Sequence, residues 1–231
     1  MSLTPKIFVV GVGPGSKEFL TAKVVSVIER ADYVAGFSKA LAIVDHLVKE
    51  GKRKIVLDYT NQDSMLSKIS ELAMQGRMCV VCVYGDTNVS DKQLIEKLGS
   101  KGVNLELLPG ISSVQLACAR LKISLEDSLL VTFHKRGSIE SEKFELRDQA
   151  KKGRRYVLVL PRPWDFMPGE IAKFLIFAGI EEQRKVTILQ SLALDGETIK
   201  SYSLKELSLS QEAFSDLTIL VVSPHEEKVL T

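Results

Sequence analysis

The amino-acid sequence predicts an α/β protein of two domains: residues 1–110 built on a mostly parallel sheet, and residues 111–231 forming a mixed-sheet α+β domain. Three observations carry that expectation. Apolar strand-like runs alternate with amphipathic helical stretches through the first half, the order that parallel strands need for their crossovers. The run Met78 to Tyr84 (MCVVCVY) is apolar almost throughout, as a strand covered on both faces must be. The second half then turns richer in strands and poorer in helices, with Leu108-Pro109-Gly110 as a hinge between the halves.

The first element is the strand Lys6 to Val10 (KIFVV), which runs straight into Gly11-Val12-Gly13-Pro14-Gly15. Glycines at a strand end take positive φ and let backbone approach a guest closely. The spacing departs from the dinucleotide fingerprint. Ser16 stands where the last glycine belongs, Pro14 removes an N–H donor, and Asp32 precedes the second strand instead of ending it. A ligand cradle and a plain tight turn both stay open on the loop alone. Leu20 to Ala31 has helical apolar spacing, with Ser16 as N-cap and Glu18 in the first turn. Tyr33 to Gly36 is a short strand, Ala40 to Lys49 a helix closed by Gly51, and Lys54 to Leu57 a third strand. Ser64 to Gln75 is a helix stopped by Gly76, after which the apolar run from Met78 delivers Gly85-Asp86-Thr87 to the carboxyl edge. Open α/β sheets bind ligands at that edge. Ser90 or Asp91 can cap the helix Lys92 to Leu98, and Val103 to Leu107 is the fifth strand.

Past the hinge, Ser112 to Leu121 reads as a helix whose leading serine is either a plain N-cap or a source of free N–H groups at a ligand edge. The strand Leu129 to Phe133 leads to His134-Lys135-Arg136-Gly137, and the strand Tyr156 to Leu160 leads to Pro161-Arg162-Pro163. Gly169 to Ala178 is helical, Val186 to Gln190 a strand, Glu197 to Leu204 a polar strand or hairpin arm, and Leu217 to Val222 the last strand. The basic run Lys151-Lys152-Gly153-Arg154-Arg155 precedes a strand, so it reads as a solvated turn on the opposite edge. No repeat or low-complexity tract is visible.

Composition narrows the function classes. Apolar residues make up 45% of the 231, and Lys plus Arg (31) nearly balances Asp plus Glu (29), for a net charge of +2. That balance gives no field that points to nucleic acid as a partner. No run approaches the roughly 18 apolar residues of a membrane span and no apolar leader precedes a cleavage site, so no membrane partner and a cytoplasmic location are expected. The three cysteines are too few for a disulfide framework. Cys79 and Cys82 lie three apart on a strand, hence on opposite faces, and read as core residues. No histidine pair has ligand spacing, so no metal site is expected.

Taken together, GVGPG at 11–15, the strand-borne Gly85-Asp86 and LPGISSVQLACARL at 108–121 resemble the tetrapyrrole (corrin/porphyrin) methyltransferase family, in order and spacing along most of the chain. Within that family, Leu108 to Gly137, with PGISSVQLA followed by LEDSLLVTFH and a basic residue, is most similar to the members that methylate carbon 5 of a cobalt-precorrin. The resemblance implies two α/β domains with a cleft between them, S-adenosyl-L-methionine bound folded in that cleft, and a homodimer. It places Pro14, Asp86, Thr87, Val89, Ser112 and Ser113 on the methionine and adenosine pockets, with Leu160 as an adenine contact. Two departures stand out. Thr87-Asn88-Val89-Ser90 follows Gly85-Asp86 where many members continue differently, and His134-Lys135-Arg136 stands where His-Gly-Arg is common in the carbon 5 group.

The implied substrate is a cobalt-precorrin whose peripheral carboxylates need cations; Arg136 and Arg162, at strand ends, suit them through bidentate bonds. His134 is placed beside the same substrate or in a polar surface role, and no catalytic base is identified. A separate enzyme for methylation at carbon 15 and decarboxylation is a candidate partner. Two other readings stay open: methylation of a different precorrin, or of the modified histidine of elongation factor 2 as in the diphthine synthases, and, in another class, a nucleotide-binding module or NAD-dependent oxidoreductase built on GVGPG.

Overall fold

The computed structural model of the protein describes residues 6–48 and 53–226. Lys49 and Gly51, the expected end of the second helix, lie outside them. The chain divides into two compact units, Met1–Ser113 and Val114–Thr231, where the sequence suggested a division after Gly110.

The first unit alternates strand and helix: β1 (Lys6–Gly11), α1 (Ala22–Arg30), β2 (Tyr33–Phe37), α2 (Ser38–Val44), β3 (Arg53–Leu57), α3 (Gln62–Met74), β4 (Cys79–Val83), α4 (Lys92–Gly99) and β5 (Asn104–Leu108). Its sheet has the order β3-β2-β4-β1-β5, and every neighbouring pair is parallel. The chain leaves β1 toward β2 on one side and leaves β4 toward β5 on the other. The strand order therefore reverses between β1 and β4, and there the two glycine-bearing loops emerge side by side. Both sheet faces are covered. Val10, Val80 and Cys82 pack with Val24, Val27, Ile28, Leu41 and Val44 on one face. Ile7, Val9, Cys79 and Val81 pack with Leu66, Ile69, Leu94 and Leu98 on the other. Each such side chain, fully buried, contributes about 1.5–3 kcal/mol relative to exposure. Cys79 and Cys82 thus lie on opposite faces, and burial, helped at Cys79 by the charge of Asp32, pushes their thiols up to about 11 and about 12. Asp32 serves the scaffold, since its carboxylate accepts the Met78 N–H at 2.8 Å and so ties the start of β2 to the start of β4.

Helix α1 begins two residues later than its apolar spacing suggests. Ser16 caps a short 3₁₀ turn at Lys17–Phe19, and Thr21, accepting from the Val24 N–H, caps the helix itself. Two capping side chains in succession split the stretch that periodicity reads as one.

The second unit contains α5 (Ser113–Leu121), β6 (Ser128–Thr132), α6 (Glu140–Lys152), β7 (Tyr156–Leu160), α7 (Pro168–Phe177), β8 (Lys185–Gln190), β9 (Thr198–Ser203), α8 (Leu204–Leu209) and β10 (Thr218–Val222). Its sheet runs β6-β7-β10-β8-β9, with β6 and β7 parallel and the remaining pairs antiparallel. The mixed sheet agrees with expectation; the scarcity of helices does not. Helix α6 escapes an apolar-spacing search because only Leu146 and Ala150 of ESEKFELRDQAKK are buried. It is instead held by acidic residues in its first turn, lysines in its last, and a left-handed Gly153 at its end. Helix α8 is six residues long and starts at a Ser203/Glu206 capping box. Lys151, Lys152, Arg154 and Arg155 are exposed just before β7. No helix among the described residues is long and apolar enough to cross a membrane.

Candidate functional site

In the first unit, three backbones meet at the carboxyl edge. The end of β1 bonds to the loop after β4 in a two-way bridge, Gly13 N–H to the Gly85 carbonyl at 3.0 Å and Gly85 N–H to the Gly13 carbonyl at 2.8 Å. Both glycines are left-handed, φ +80° and +74°, which side chains strongly disfavour. A Cβ on Gly11 would sit 2.6 Å from the Gly110 nitrogen and the Gly85 oxygen, and one on Gly110 only 2.3 Å from the Gly85 oxygen. The Pro-Gly step after β5, read from sequence as a hinge, also packs closely against the other two loops.

The polar groups at this edge divide into satisfied and unsatisfied. Asp86, 8% exposed, accepts the Asn88 N–H at 2.8 Å with one oxygen and the Gly110 N–H at 2.9 Å with the other. Its first duty is to pin the β4 and β5 loops together, and each oxygen keeps one further lone pair for a ligand. Thr87, 2% exposed, has a hydroxyl with no hydrogen-bond partner. A buried orphan hydroxyl costs about 1–3 kcal/mol and calls for a polar guest. Val89 closes the turn by donating its N–H to the Asp86 carbonyl at 3.1 Å. Pro14 is buried, and its carbonyl accepts the Tyr84 hydroxyl. Ser112 is buried, and the Ser113 nitrogen lies 3.7 Å from where a Gly85 side chain would begin. Pro14, Asp86, Thr87, Val89 and Ser112 are thus carried by the loops of one edge, and Ser113 opens α5 directly after them.

Asp91 stands next to this group and was legible only as a helix cap. It occupies the N-cap position of α4 but makes no capping bond, and the preceding Ser90 is left-handed at φ +69°. Burial, with the charge of Asp86 adding to it, pushes the Asp91 carboxyl up to about 7.

The second unit has its own carboxyl edge, where the loops after β6, β7 and β8 emerge together. Leu160 is 6% exposed and its carbonyl accepts the Phe133 N–H at 2.9 Å. The His134 ring bonds to the Pro161 carbonyl, while its Nε2 is buried without a partner. Burial holds the imidazole below its ordinary value, against the opposing pull of Asp216 and that carbonyl. Arg136 is exposed. Arg162 is committed within its own loop: Nε and Nη2 fork onto Asp165 at 2.5 and 2.7 Å, and Nη1 donates to the Gly137 carbonyl at 2.9 Å. A substrate carboxylate would have to displace Asp165 from that fork.

The loop after β8 carries a feature that sequence reasoning missed. Ser191 and Ala193 are both left-handed, φ +53° and +60°, held by the Glu197 carboxylate, which accepts the Ala193 N–H at 2.8 Å and pairs with Arg120 at 2.6 Å. Strain of this kind clusters at ligand-binding loops. Without a glycine at either position the sequence held no cue.

A five-stranded parallel sheet with two interlocked glycine loops at its reversal point, lacking the dinucleotide spacing, defines an α/β class whose carboxyl edge is suited to a small polar ligand. The chain belongs to the tetrapyrrole (corrin/porphyrin) methylases, whose family model matches residues 6–208. It is 35% identical over 223 residues to a probable cobalt-precorrin-7 C(5)-methyltransferase of Methanocaldococcus jannaschii, covering 96% of this chain and 99% of that one. The cobalt-precorrin-7 C(5)-methyltransferase of Salmonella typhimurium is 29% identical, over 83% of this chain and 87% of its own. Among solved structures, the precorrin-6Y methylase of Archaeoglobus fulgidus superposes with a TM-score of 0.72 at 26% identity, covering 96% and 99% of the two chains. The protein is accordingly a methyltransferase whose methyl donor is S-adenosylmethionine, and the oxidoreductase reading of GVGPG falls away. The residues present fit that donor. An orphan buried hydroxyl at Thr87, spare carboxylate lone pairs at Asp86 and a glycine-walled approach suit a zwitterionic amino acid joined to a ribose.

Proposed function

We propose that the protein methylates carbon 5 of cobalt-precorrin-7 in cobalamin biosynthesis. The observation that carries this reading is the end-to-end likeness to a relative named for that reaction, with 96% of this chain and 99% of that one covered. The proposed donor site is the first unit's edge, with Pro14, Asp86, Thr87, Val89, Ser112 and Ser113 around the donor. When bound, S-adenosylmethionine supplies an electrophilic methyl group on a cationic sulfur.

The chain's own part is to bind, orient and exclude water. Asp86, fixed by two N–H donors, presents its remaining lone pairs in set directions. Thr87 gives a hydroxyl that donates or accepts as the guest requires. Holding two reactants in a near-attack geometry supplies about 7–11 kcal/mol of a barrier, so positioning alone accounts for much of the rate. For the substrate carboxylates, Arg136 and Arg162 are the proposed cations; Arg136 is exposed, and Arg162 would exchange Asp165 for a substrate carboxylate. His134 is proposed to face the same substrate. The reading also carries a homodimer, tested by light scattering, and a cytoplasmic setting, which the three free, buried cysteines favour.

The deciding experiment incubates cobalt-precorrin-7 with the protein and methyl-labelled S-adenosylmethionine, then locates the label by mass spectrometry and NMR. One labelled methyl at carbon 5 is expected. Label at another carbon, or transfer only to an earlier precorrin, overturns the carbon 5 assignment and leaves the family untouched.

A further inference from the structure

We infer that Tyr84 is a positioning residue of the donor site, acting through the peptide between Pro14 and Gly15. This rests on the reading of the first unit's edge as that site. Tyr84 is the last residue before Gly85-Asp86, and its half-buried ring packs against the cluster that holds Val10, Val12 and Val24. From that anchored ring the hydroxyl donates to the Pro14 carbonyl. Every peptide bond among the described residues is trans, so the C=O of Pro14 and the N–H of Gly15 point in opposite directions. Tying the carbonyl down toward Tyr84 therefore turns the Gly15 N–H the other way. Gly15 is buried, yet its N–H finds no acceptor among the described residues.

Pro14 has no N–H of its own, so Gly15 carries the first donor in the turn after the Gly13–Gly85 bridge. The neighbours on either side are anchored elsewhere: Gly13 is fixed by its bridge, and Ser16 by its bond to the Glu18 N–H. Without the tyrosine hydroxyl the peptide between them is able to rotate, and the Gly15 N–H loses its aim. Tyr84 couples the two glycine loops a second time, through a side chain where the bridge couples them through backbone. The acceptor on the ligand is an oxygen or nitrogen of the methyl donor, a group equally present in its demethylated product.

The test compares Tyr84→Phe, which keeps the ring, with Tyr84→Leu, which loses it, by calorimetric titration with S-adenosylhomocysteine, thermal melts and steady-state kinetics. Tyr84→Phe is expected to keep its Tm within about 2 °C while Kd for S-adenosylhomocysteine rises roughly fivefold to tenfold, the loss of one oriented hydrogen bond. KM for S-adenosylmethionine should rise by the same factor, with kcat and the KM of the corrin substrate changing less than about twofold. Tyr84→Leu should lose both Tm and affinity. An unchanged Kd in Tyr84→Phe overturns the inference, as does a Tm loss in Tyr84→Phe as large as in Tyr84→Leu, which would make the bond purely structural. Failure of the unaltered protein to bind S-adenosylhomocysteine at all would instead sink the donor-site reading.

Discussion

The two sheet edges are built from the same kind of parts and finished differently. At the first unit's edge, backbone is packed so closely that Gly11 and Gly110 admit no side chain, while the Thr87 hydroxyl is left without a partner. At the second unit's edge the large cations are already matched: Arg162 forks onto Asp165, Arg120 onto Glu197, and Lys135 onto Glu142. Unmatched polar groups are tolerated where a guest will match them, and matched ones mark scaffold. His134, with its lone buried Nε2, is the point in the second unit that breaks this pattern and so the place there to look for substrate.

The contrast can be broken most forcefully at Gly110. Gly110→Ala puts a Cβ within 2.6 Å of three backbone atoms of the neighbouring loops, none of which can rotate away. The expected loss is roughly 3 kcal/mol or more, seen as a Tm fall of about 10 °C together with loss of S-adenosylhomocysteine binding. The matching change in the second unit is Arg184→Met. Arg184, 7% exposed, donates to the Ala150 and Ser223 carbonyls, to Glu181 at 2.7 Å and to the His225 ring at 2.8 Å. Removing it should cost about 2–4 kcal/mol in a denaturant melt and leave Kd for S-adenosylhomocysteine within about twofold. Arg184 precedes β8, at the far end of that strand from the second unit's carboxyl edge, so if both variants lost stability and affinity alike, donor binding would not be separable from the stability of the second unit.

A gentler probe is Asp91→Asn. Because burial lifts the folded-state carboxyl to about 7 from an ordinary 3.8, the folded protein holds a proton there, between about pH 4 and pH 7, that the unfolded chain has lost. Stability therefore falls as pH rises through that window, the reverse of a paired carboxylate. Asp91→Asn should raise Tm by roughly 2–5 °C at pH 8 and by little at pH 5; equal gains at both pH values would show that charge is not the cause. The smallest effect on stability belongs to Thr87→Val, which removes the orphan hydroxyl. Tm should hold or rise by about 1–2 °C while S-adenosylhomocysteine affinity falls about threefold to tenfold. Unchanged affinity would take Thr87 out of the donor site.

Much of the fold is legible in the sequence, and the gaps have physical reasons. Strands buried on both faces, such as β4 with its five buried residues CVVCV, announce themselves by unbroken apolar runs. Helix α6 is held by its ends and by charge, and so carries almost no apolar period to read. Among the site residues, the glycine loops and Gly85-Asp86 stand out because special backbone conformations demand special residues. Tyr84, Asp91 and the left-handed Ser191 and Ala193 are ordinary residues made unusual by what folding brings beside them, and a linear pattern holds no trace of that. Arg162 reads in sequence as a free cation, and only the turn that returns Asp165 to it shows otherwise.

The convergence of Gly11, Gly85 and Gly110 also bears on how a newly made chain reaches its folded state. Strand β5 is the last of the first unit to leave the ribosome and pairs along the outer side of β1, the first. Until it docks, β1 presents a row of unpaired N–H and C=O groups, a template on which a neighbouring nascent copy can add its own strand. Glu106, in the middle of β5, reaches Lys6 at the start of β1 and adds an opposite-charge contact to the correct pairing. The strand that completes the cradle thus also covers the flank of β1 that stays open until the first unit is finished.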